Sequence, residues 1–563
     1  MSIKSLTISL VLILLASGSA YAFSKCYEKA STVTVPVIGV TFTENGMEGV
    51  VGNLTVVVAY PGSGSIYVSS EPLTQVDTQG IARIAVLVAS AIAKKDWTKY
   101  DFFFRFKTPS VIVGGPSAGM AMTVAVYAAL TNQKPKTNVA GTGTISPDGT
   151  IGPVGGTYYK LQAAAEKGYT VFLLPFGEEN ATISRATTIN SPFGVIKTIK
   201  SEEVNLIDFG KKLGVKVVPV KTIFEALRYW LNNPPIVPRP LLVSELPKEV
   251  RDVMTNWVDY YLSMYRKYER SVKGLTHVSV ELIDQARTAA EKADELRSTD
   301  VYSSVNYAFT AAIRAETAYW YEKMVLNGFK SLIELADNVE SLLKEVRGLL
   351  NQYSYEYFDS NHIDILLTSA NRYLRAKYYY HEALNSTELN DILQYLIYSK
   401  YYALATRTWL QLANVFSKGE SIDKGRFTKT AEAVYSSANT ILAYILAMNI
   451  NLDRSGEEAI GIYKLASSEG PLQKMAAGMY LNAILTYELH VNYSISLENV
   501  LKKSEYASGI ALSLAKSNKL NPVIAEIYQY SARKLSSSDP ASSVLFYELS
   551  AMHVYTLLQL TNK

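Results

Sequence analysis

A serine within a glycine-rich segment is the candidate nucleophile of the N-terminal half. Residues 114–119 read GGPSAG, and a nearly all-apolar stretch follows them. Pro116 suits the first turn of a helix, so Ser117 is predicted to lie where free backbone N–H groups and the helix dipole favour negative charge. That position suits acyl transfer, because attack by a serine hydroxyl on a carbonyl creates an oxyanion. A serine near a helix start is more often a helix cap, so this segment alone leaves both interpretations open.

A lysine on a short predicted helix is the second residue that could do chemistry. Residues 157–167, TYYKLQAAAEK, follow two glycines and precede another, as expected for one helix with defined ends. On a helical wheel Gln162 and Glu166 share one face, and Lys160 lies roughly opposite them among apolar neighbours. Lysine is rarely buried without a partner. Two interpretations stay open: a side chain that reaches solvent along the helix, or an amine held in an apolar site.

The scarce residues limit what kind of site this half can hold. The chain has five histidines, and none occurs before residue 277, so a catalytic site in the N-terminal half must work without imidazole. Its one cysteine, Cys26, excludes a disulfide within the chain and a zinc site built from cysteines. The formal net charge of +4 over 563 residues is far from the basicity of nucleic-acid-binding proteins. We therefore predict no nucleic-acid partner, no metal and no cofactor.

The two candidate residues lie in a region where strand and helix patterns alternate, from residue 32 to residue 231. Hydrophobic runs predict strands and helices in mixed order, with a hairpin-like region before the lysine helix. Such an order is typical of an α/β or α+β domain of about 200 residues. The predicted strands are 33–42, 54–60, 65–69, 101–106, 170–174 and 215–220, and the predicted helices are 80–94, 117–130, 157–167 and 223–231.

The second half of the chain follows a different pattern. Residues 232–240, NNPPIVPRP, contain four prolines, which prevent regular structure and predict a linker. From residue 241 to residue 563 helical periodicity continues with almost no strand signal, which predicts an all-helical, repeat-like array or bundle. The predicted helices are roughly 247–271, 279–296, 303–326, 330–350, 364–384, 389–416, 428–450, 471–489, 497–517 and 541–560.

Tyrosine is unusually common in this second half. Thirty of the 40 tyrosines lie after residue 240. We interpret them mainly as packing residues at helix interfaces, where the hydroxyl finds water or a carbonyl. The alternative is a surface that binds extended polypeptide or glycan.

The first 22 residues are predicted to be a secretory signal peptide. Lys4 supplies the positive charge, residues 6–16 a short apolar core, and residues 20–22, AYA, a cleavage site. The apolar core is shorter than the roughly 20 residues of a membrane-spanning helix, which favours cleavage. An uncleaved segment that tethers the chain to a membrane remains the alternative. In both cases the chain is expected outside the cytoplasm, either secreted or associated with the cell surface.

Several motifs in register resemble the proteolytic domain of the Lon protease family, peptidases with a serine–lysine dyad. Lys160 lies 43 residues after Ser117, and the order and gaps of the motifs agree with the family. The resemblance extends from about residue 37 to residue 231 and implies an α+β proteolytic domain over residues 32–231. The matching motifs are GPSAG at 115–119, VAGTG at 139–143, Gly149 with PVGG at 153–156, KLQAA at 160–164 and VVPVKT at 217–222.

The resemblance also implies a role for each site residue. Ser117 matches the nucleophile, Lys160 the general base, and Thr142 the threonine that holds the lysine amine in position. The backbone N–H groups of Gly115, Ser117 and Ala118 would form the oxyanion hole. The residue chemistry agrees with these roles, because a lysine serves as a base only when it is neutral. Moving its pKa from about 10.4 to near 7 requires roughly 4 kcal/mol of desolvation and charge placement.

Two departures from the family pattern shape the prediction. Many members carry an acidic residue three positions before the serine, where this chain has Gly114. The family's ATPase module is also missing, because no G-x-x-x-x-G-K-[ST] motif occurs in this sequence. The prediction is therefore an exported serine endopeptidase, independent of ATP, that acts on peptides or unfolded protein segments.

The helical half is expected to select or gate these substrates, or to mediate assembly. Lon-type domains commonly form rings, so the resemblance implies a homo-oligomer. The alternative from another functional class is a binding or scaffold protein outside the cytoplasm. In that case the helical array would be the working part, and the peptidase fold would be weak or would process only its own chain.

Overall fold

The computed structural model describes residues 27–43, 46–74, 76–113, 115–191, 194–493 and 496–562. The predicted signal peptide, Cys26 and Gly114 lie outside the described residues. Within these ranges an N-terminal region of strands and helices is followed by a long all-helical region. The predicted fold class is thereby confirmed.

The N-terminal region begins with a four-stranded sheet. It contains β1 (Lys29–Thr43), β2 (Gly46–Tyr60), β3 (Ile66–Thr74) and β4 (Asp101–Val113), with helix α1 (Val76–Ala93) between β3 and β4. The strand order is β1-β2-β4-β3, so β1 is an edge strand. In the antiparallel hairpin of β1 and β2, Val33 pairs with Val56 and Val35 with Leu54. All four are buried whereas Thr34 is exposed, as expected for a sheet with one face in the core.

A second group of elements completes this region and carries the candidate site residues. A parallel sheet of order β11-β8-β5 stands at its centre, and β6 and β7 form a short hairpin before helix α3. Helix α2 and residues 84–92 of α1 are buried on nearly all sides, which explains why almost all of these residues are apolar. The elements are α2 (Gly119–Leu130), β5 (Val139–Gly141), β6 (Thr144–Ile145), β7 (Ile151–Gly152), α3 (Thr157–Glu166), β8 (Val171–Pro175), β9 (Asn180–Ser191), β10 (Gly194–Asn205), α4 (Leu206–Lys212), β11 (Lys216–Val220) and α5 (Ile223–Trp230).

Four elements of the N-terminal region, β2, β9, β10 and α4, differ most from the sequence-based prediction. The hairpin of β9 and β10, and the helix α4 that follows it, occupy residues for which the hydrophobic pattern predicts no element. The two strands pair only with each other, so neither needs the continuous apolar face that identifies a core strand. β2 also begins at Gly46 rather than at residue 54, because its first part pairs with the far end of β1.

Twelve α-helices fill the described part of the second half. Ten of them correspond to predicted segments, and α13 and α16 lie in gaps of the prediction. None of the helices in the described ranges combines the length and apolarity needed to cross a bilayer. They are α6 (Lys248–Glu269), α7 (His277–Leu296), α8 (Val301–Asn327), α9 (Phe329–Glu356), α10 (Ile363–Asn385), α11 (Leu389–Leu410), α12 (Lys424–Ala447), α13 (Arg454–Ala466), α14 (Pro471–Asn492), α15 (Leu497–Ser517), α16 (Val523–Leu535) and α17 (Pro540–Thr561).

The two halves of the chain pack closely on each other. Residues of α1 and α2 share one buried hydrophobic cluster with residues of α12, α14, α15 and α17. A Cβ atom added to Gly80 of α1 would lie 1.8 Å from the hydroxyl of Thr440 on α12, so only glycine permits this approach. The Asn562 amide donates to the carbonyl of Ala91 at 3.1 Å. The helical half therefore packs against the N-terminal half through a shared hydrophobic core and is not a loosely attached domain.

Candidate active site

Ser117 lies in a tight turn that leads into α2. Pro116–Ala118 form one 3-10 turn, in which the N–H of Gly119 donates to the carbonyl of Pro116. Gly115 before it has φ +86° and ψ 150°, and a Cβ there would meet no atom within 4 Å. The glycine is therefore required by backbone conformation and not by lack of space. The predicted position of Ser117 at a helix start is what the structure shows.

The backbone of Ser117 is held firmly, whereas its hydroxyl is not. The Ser117 carbonyl accepts hydrogen bonds from the N–H of Gly143 at 3.0 Å and from the hydroxyl of Thr142 at 3.3 Å. Within the described ranges the Ser117 hydroxyl forms no hydrogen bond to the protein, and its residue is only partly buried. The backbone of Ser117 is thus fixed, while its hydroxyl stays available to a substrate or a base.

Lys160 lies on the buried face of α3. Only 2% of its surface is exposed, and Leu161 and Ala164 on the same helix are completely buried. Gln162 and Glu166 face solvent, where the amide of the former donates to the carboxylate of the latter at 3.0 Å. The division of faces agrees with the helical wheel, and the interpretation of Lys160 as a side chain that reaches solvent is wrong.

Thr142 joins the two candidate residues. It follows β5, and its N–H donates to the carbonyl of Leu173 on β8 at 3.0 Å. Its hydroxyl donates to the Ser117 carbonyl and accepts from the Lys160 ammonium, with Nζ and Oγ1 3.1 Å apart. A single buried hydroxyl therefore connects the serine turn to the lysine amine. The structure brings all three predicted residues together.

One cavity of about 120 Å³ contains both Ser117 and Lys160. Its opposite wall is residues 37–40 of the edge strand β1 together with Val50 and Gly52 of β2. No hydrogen bond joins the Ser117 hydroxyl to the Lys160 amine within the described residues; the two side chains face the same space instead. Catalytic hydrogen bonds are often long in the absence of substrate, so this geometry is compatible with a dyad. The predicted oxyanion donors, the N–H groups of Gly115, Ser117 and Ala118, all belong to the turn beside this cavity.

Burial tunes the charge of Lys160. Removal from water disfavours the ammonium form and lowers the pKa of Lys160 to about 8, against the opposing attraction of Glu178. Burial likewise raises the pKa of Glu178 to about 8, although its carboxylate accepts from the N–H of Val154 at 2.8 Å. A lysine with this pKa is neutral in a useful fraction of molecules near pH 8.

The structure adds site residues that the sequence did not reveal. Glu178 stands in the turn after β8, within electrostatic reach of Lys160. From the helical half, the Lys503 ammonium on α15 donates to the carbonyl of Ile151 at 2.7 Å and lies 3.0 Å from Nε2 of His490. Nδ1 of His490 lies 2.9 Å from the carboxylate of Glu548. More than 300 residues separate Lys503 from Ile151, so no local sequence signal could have paired them.

This buried network holds the segment that precedes the lysine helix. Burial and the Lys503 cation lower the pKa of His490 well below its usual range, so its ring is neutral and Nδ1–H donates to Glu548. The Tyr444 hydroxyl donates to the carbonyl of Pro153 at 3.1 Å. Residues 151–153 are thus anchored by three helices of the second half, α12, α14 and α15, just before α3 begins.

Lys503 offers a direct test of this anchoring, with its neighbour as the control. Lys503→Met is expected to lower the free energy of unfolding by roughly 1–3 kcal/mol, because it leaves the buried Ile151 carbonyl and Nε2 of His490 without a donor. Burial lowers the pKa of Lys503 to about 8, so relief from burying its ammonium offsets part of the loss. Lys502 is exposed, and among the described residues it pairs only with Glu498, so Lys502→Met is expected to change stability by no more than roughly 0.5 kcal/mol. Chemical denaturation of both variants measures the difference. Equal stability of the two variants would show that the network does not anchor this segment.

The N-terminal region is similar to a known protein family. Residues 18–205 match the Lon protease (S16) C-terminal proteolytic domain, which confirms the predicted resemblance for this part of the chain.

Within the described ranges no group of three or more His, Cys, Asp or Glu side chains could hold a metal ion.

Individual relatives match over part of the chain. The Lon protease of Buchnera aphidicola subsp. Acyrthosiphon pisum is 31% identical over 206 residues, which cover 36% of this chain and 23% of that protein. The archaeal Lon protease of Thermoplasma volcanium is 28% identical over 241 residues, 38% of this chain and 33% of that protein. The archaeal Lon protease of Pyrococcus abyssi is 38% identical over 103 residues, 18% of this chain and 10% of that protein. The chain thus spans a third or less of the length of each of these relatives.

Proposed function

We propose that the Lon-type domain makes this chain a serine endopeptidase that uses Ser117 as nucleophile and Lys160 as general base. One observation carries the proposal: a fully buried lysine amine, positioned by Thr142, opens into the same cavity as an unengaged serine hydroxyl. Burial of this kind disfavours the ammonium form. Buried titratable groups with shifted pKa values are common at functional sites, where the neutral form takes part in the reaction. The match to a peptidase family supports the same assignment.

The geometry supports a two-step acyl transfer. The Ser117 hydroxyl attacks the peptide carbonyl while neutral Lys160 accepts its proton, and N–H groups of the turn at residues 115–118 stabilise the oxyanion. Collapse of this intermediate breaks the C–N bond, and Lys160 returns the proton to the leaving amine. Water, deprotonated by Lys160, then attacks the acyl ester and releases a carboxylic acid and the free serine. Thr142 accepts one N–H of Lys160, which orients the amine toward the cavity.

The substrates proposed are peptides or unfolded protein segments in extended form. The cavity runs along the edge strand β1, whose outer side has no strand partner within the described sheet, and an extended chain can pair with such an edge. At about 120 Å³ the cavity accepts a side chain and not a folded domain. We propose that cleavage needs no nucleotide, since the sequence contains no P-loop motif.

Location and assembly are further parts of this proposal. The signal-like residues 1–22 support action outside the cytoplasm, which N-terminal sequencing of the mature protein would test. The family match supports a homo-oligomeric ring, which light scattering of the purified chain would test. A monomer by that measurement would remove the ring from the proposal without affecting the peptidase assignment.

The pH dependence of hydrolysis tests the assignment of the base. Casein and fluorogenic peptides are incubated with the purified chain between pH 6 and pH 10, without nucleotide. Because Lys160 must lose its proton to act, kcat/KM is expected to fall about tenfold per pH unit below the pKa of about 8 and to level off above it. Hydrolysis that is absent throughout this range would contradict the peptidase and favour a binding protein whose helical half does the work.

Glu178 provides a second variant for the same pH profile. Its carboxylate raises the pKa of Lys160, so Glu178→Gln is expected to shift the acid limb of kcat/KM to lower pH. The other cation that acts on Glu178 is Lys503, which faces it from α15. Glu179 is the matched control, because its carboxylate accepts from the N–H of Gly177 and not from the segment before α3. An acid limb that moves equally in Glu179→Gln would show that Glu178 does not act on the base.

A further inference from the structure

A second cavity lies entirely within the helical half. Its volume is about 300 Å³, and it shares no lining residue with the cavity at Ser117. Asn306 of α8 lines it and is exposed to solvent. Helices α6, α8, α10, α11 and α17 form its walls. The aromatic residues among these walls are Trp257, Tyr261, Tyr302, Phe309, Tyr402, Trp409 and Phe546.

The aromatic walls are held rigidly by one another. The rings of Trp257 and Trp409 lie 5.3 Å apart, and Tyr261 meets Phe309 edge-on at 5.1 Å. The indole N–H of Trp257 donates to Gln411 at 2.9 Å, which fixes the orientation of that ring. A cavity with rigid aromatic walls binds apolar or planar groups with little loss of side-chain entropy.

The charges of this cavity are not balanced. Arg372 and Arg375 of α10 both line it. Arg375 is paired with the carboxylate of Glu458 at 2.8 Å. Arg372 donates only to neutral oxygens, those of Asn371 at 3.2 Å and of the Tyr528 hydroxyl at 3.4 Å, and no carboxylate within the described residues pairs with it. Because a guanidinium does not lose its proton in proteins, the cavity carries one cation without a counter-ion.

We propose that this cavity binds the C-terminal end of a peptide, with its carboxylate on Arg372 and its last side chain among the aromatic rings. The planar fork of a guanidinium matches the two oxygens of a carboxylate. The cavity volume lies at the lower end of the roughly 300–1,000 Å³ of small-ligand sites, so it accepts one or two residues and not a folded partner. A neutral glycan would stack on the rings but would leave the cation unpaired, and a phosphate ion would satisfy the cation but not the rings.

Binding of two matched peptides tests the proposal on the full chain. The chain carries Ser117→Ala, so that no peptide is cut during the measurement. Acetyl-Ala-Ala-Phe with a free carboxylate and the same peptide with a C-terminal amide are titrated by calorimetry and by tryptophan fluorescence, which Trp257 and Trp409 report. The acid is expected to bind at least roughly tenfold more tightly than the amide, as for a hydrogen bond between charged groups. Equal affinity of acid and amide, or no binding of either, would overturn the proposal.

Two arginine variants locate the site. Arg372→Met is expected to lower the affinity for the acid to that for the amide. Arg407→Met is the control, because Arg407 lies on the neighbouring helix α11 but is paired with Glu345 at 3.2 Å and does not line the cavity. Unchanged acid binding in Arg372→Met, or displacement of the peptide by inorganic phosphate at equal concentration, would also overturn the proposal. None of these outcomes depends on whether Ser117 cleaves peptides, so failure here and failure of the peptidase assignment are separate results.

Discussion

Replacement of Ser117 by alanine is expected to abolish peptide hydrolysis and to leave the fold intact. The substitution removes only a hydroxyl oxygen that forms no hydrogen bond within the described residues, so the free energy of unfolding should change by no more than about 0.5 kcal/mol. It removes the group that forms the acyl-enzyme, and loss of a nucleophile lowers kcat by roughly 10⁴- to 10⁶-fold in serine peptidases. The effect on rate is thus far larger than any effect on structure.

Release of fluorogenic product and thermal unfolding are measured on the same preparation of the Ser117→Ala variant. Ser341→Ala is the matched control, since Ser341 lies exposed on α9 and donates only within its own helix. The control is expected to match the unsubstituted chain in both measurements. If the Ser117→Ala variant keeps more than a few per cent of the hydrolytic activity, Ser117 is not the nucleophile.

Replacement of Lys160 by methionine is expected to separate activity from stability. Loss of a general base lowers the rate by roughly 10²- to 10⁴-fold, and more when base and nucleophile act as one unit. Stability should move in the opposite direction. The pKa of Lys160 is about 8 in the folded chain and near 10.4 when unfolded, so below pH 8 burial of the ammonium costs about 3 kcal/mol. Methionine fills the same space without that cost.

The difference in the free energy of unfolding between the Lys160→Met variant and the unsubstituted chain is expected to depend on pH. Between pH 8 and pH 10 the unfolded chain binds more protons at Lys160 than the folded chain, so the unsubstituted protein gains stability as pH rises. The Lys160→Met variant lacks this gain. We therefore expect the variant to be as stable as the unsubstituted chain or more stable at pH 7, with the difference narrowing toward pH 10. Loss of the hydrogen bond to Thr142 reduces the advantage without reversing it.

Chemical denaturation at pH 7, 8 and 10, together with peptide hydrolysis, measures both consequences. Lys167→Met is the matched control at the exposed end of the same helix, and it should leave both quantities unchanged. If the Lys160→Met variant is inactive because it is destabilised by several kcal/mol, burial of the Lys160 ammonium does not cost stability, and the assignment of Lys160 as a base loses this support. That outcome would indicate a structural ammonium instead.

The helical half bears on both predictions because it contacts the segment that leads into the proposed active site. Lys503 and Tyr444 hold the carbonyls of Ile151 and Pro153, and α3 starts four residues after the second of these. The left-handed Gly156 lies immediately before α3, and a Cβ there would lie 2.7 Å from Val40 of β1, a strand that lines the cavity. The position of Lys160 therefore depends on contacts that cross from one half of the chain to the other.

Local sequence patterns predicted much of the fold and the core of the site. Helix periodicity located ten of the twelve described helices in the second half, because each presents an apolar stripe to its neighbours. It missed α13 and α16, which have only 13 residues each although both bury apolar residues. It also missed the hairpin of β9 and β10, whose strands pair with each other and with no other strand of the described sheets. The turn at Ser117 was predicted because the conformations of glycine and proline are properties of the residues themselves.

By itself the sequence determined which residues could do the chemistry: a serine at a helix start, a lysine on an apolar face, and no histidine within reach in the same half. Only the tertiary structure decided whether that lysine could act as a base. Its pKa depends on how completely water is removed and on the carboxylate of Glu178, and neither can be read from neighbours in the chain. The same holds for Lys503 and for Arg372, which has no carboxylate partner among the described residues, since their surroundings come from distant segments. Electrostatic energies are set by distance and burial in space, and sequence spacing fixes neither of these beyond a single helix or turn.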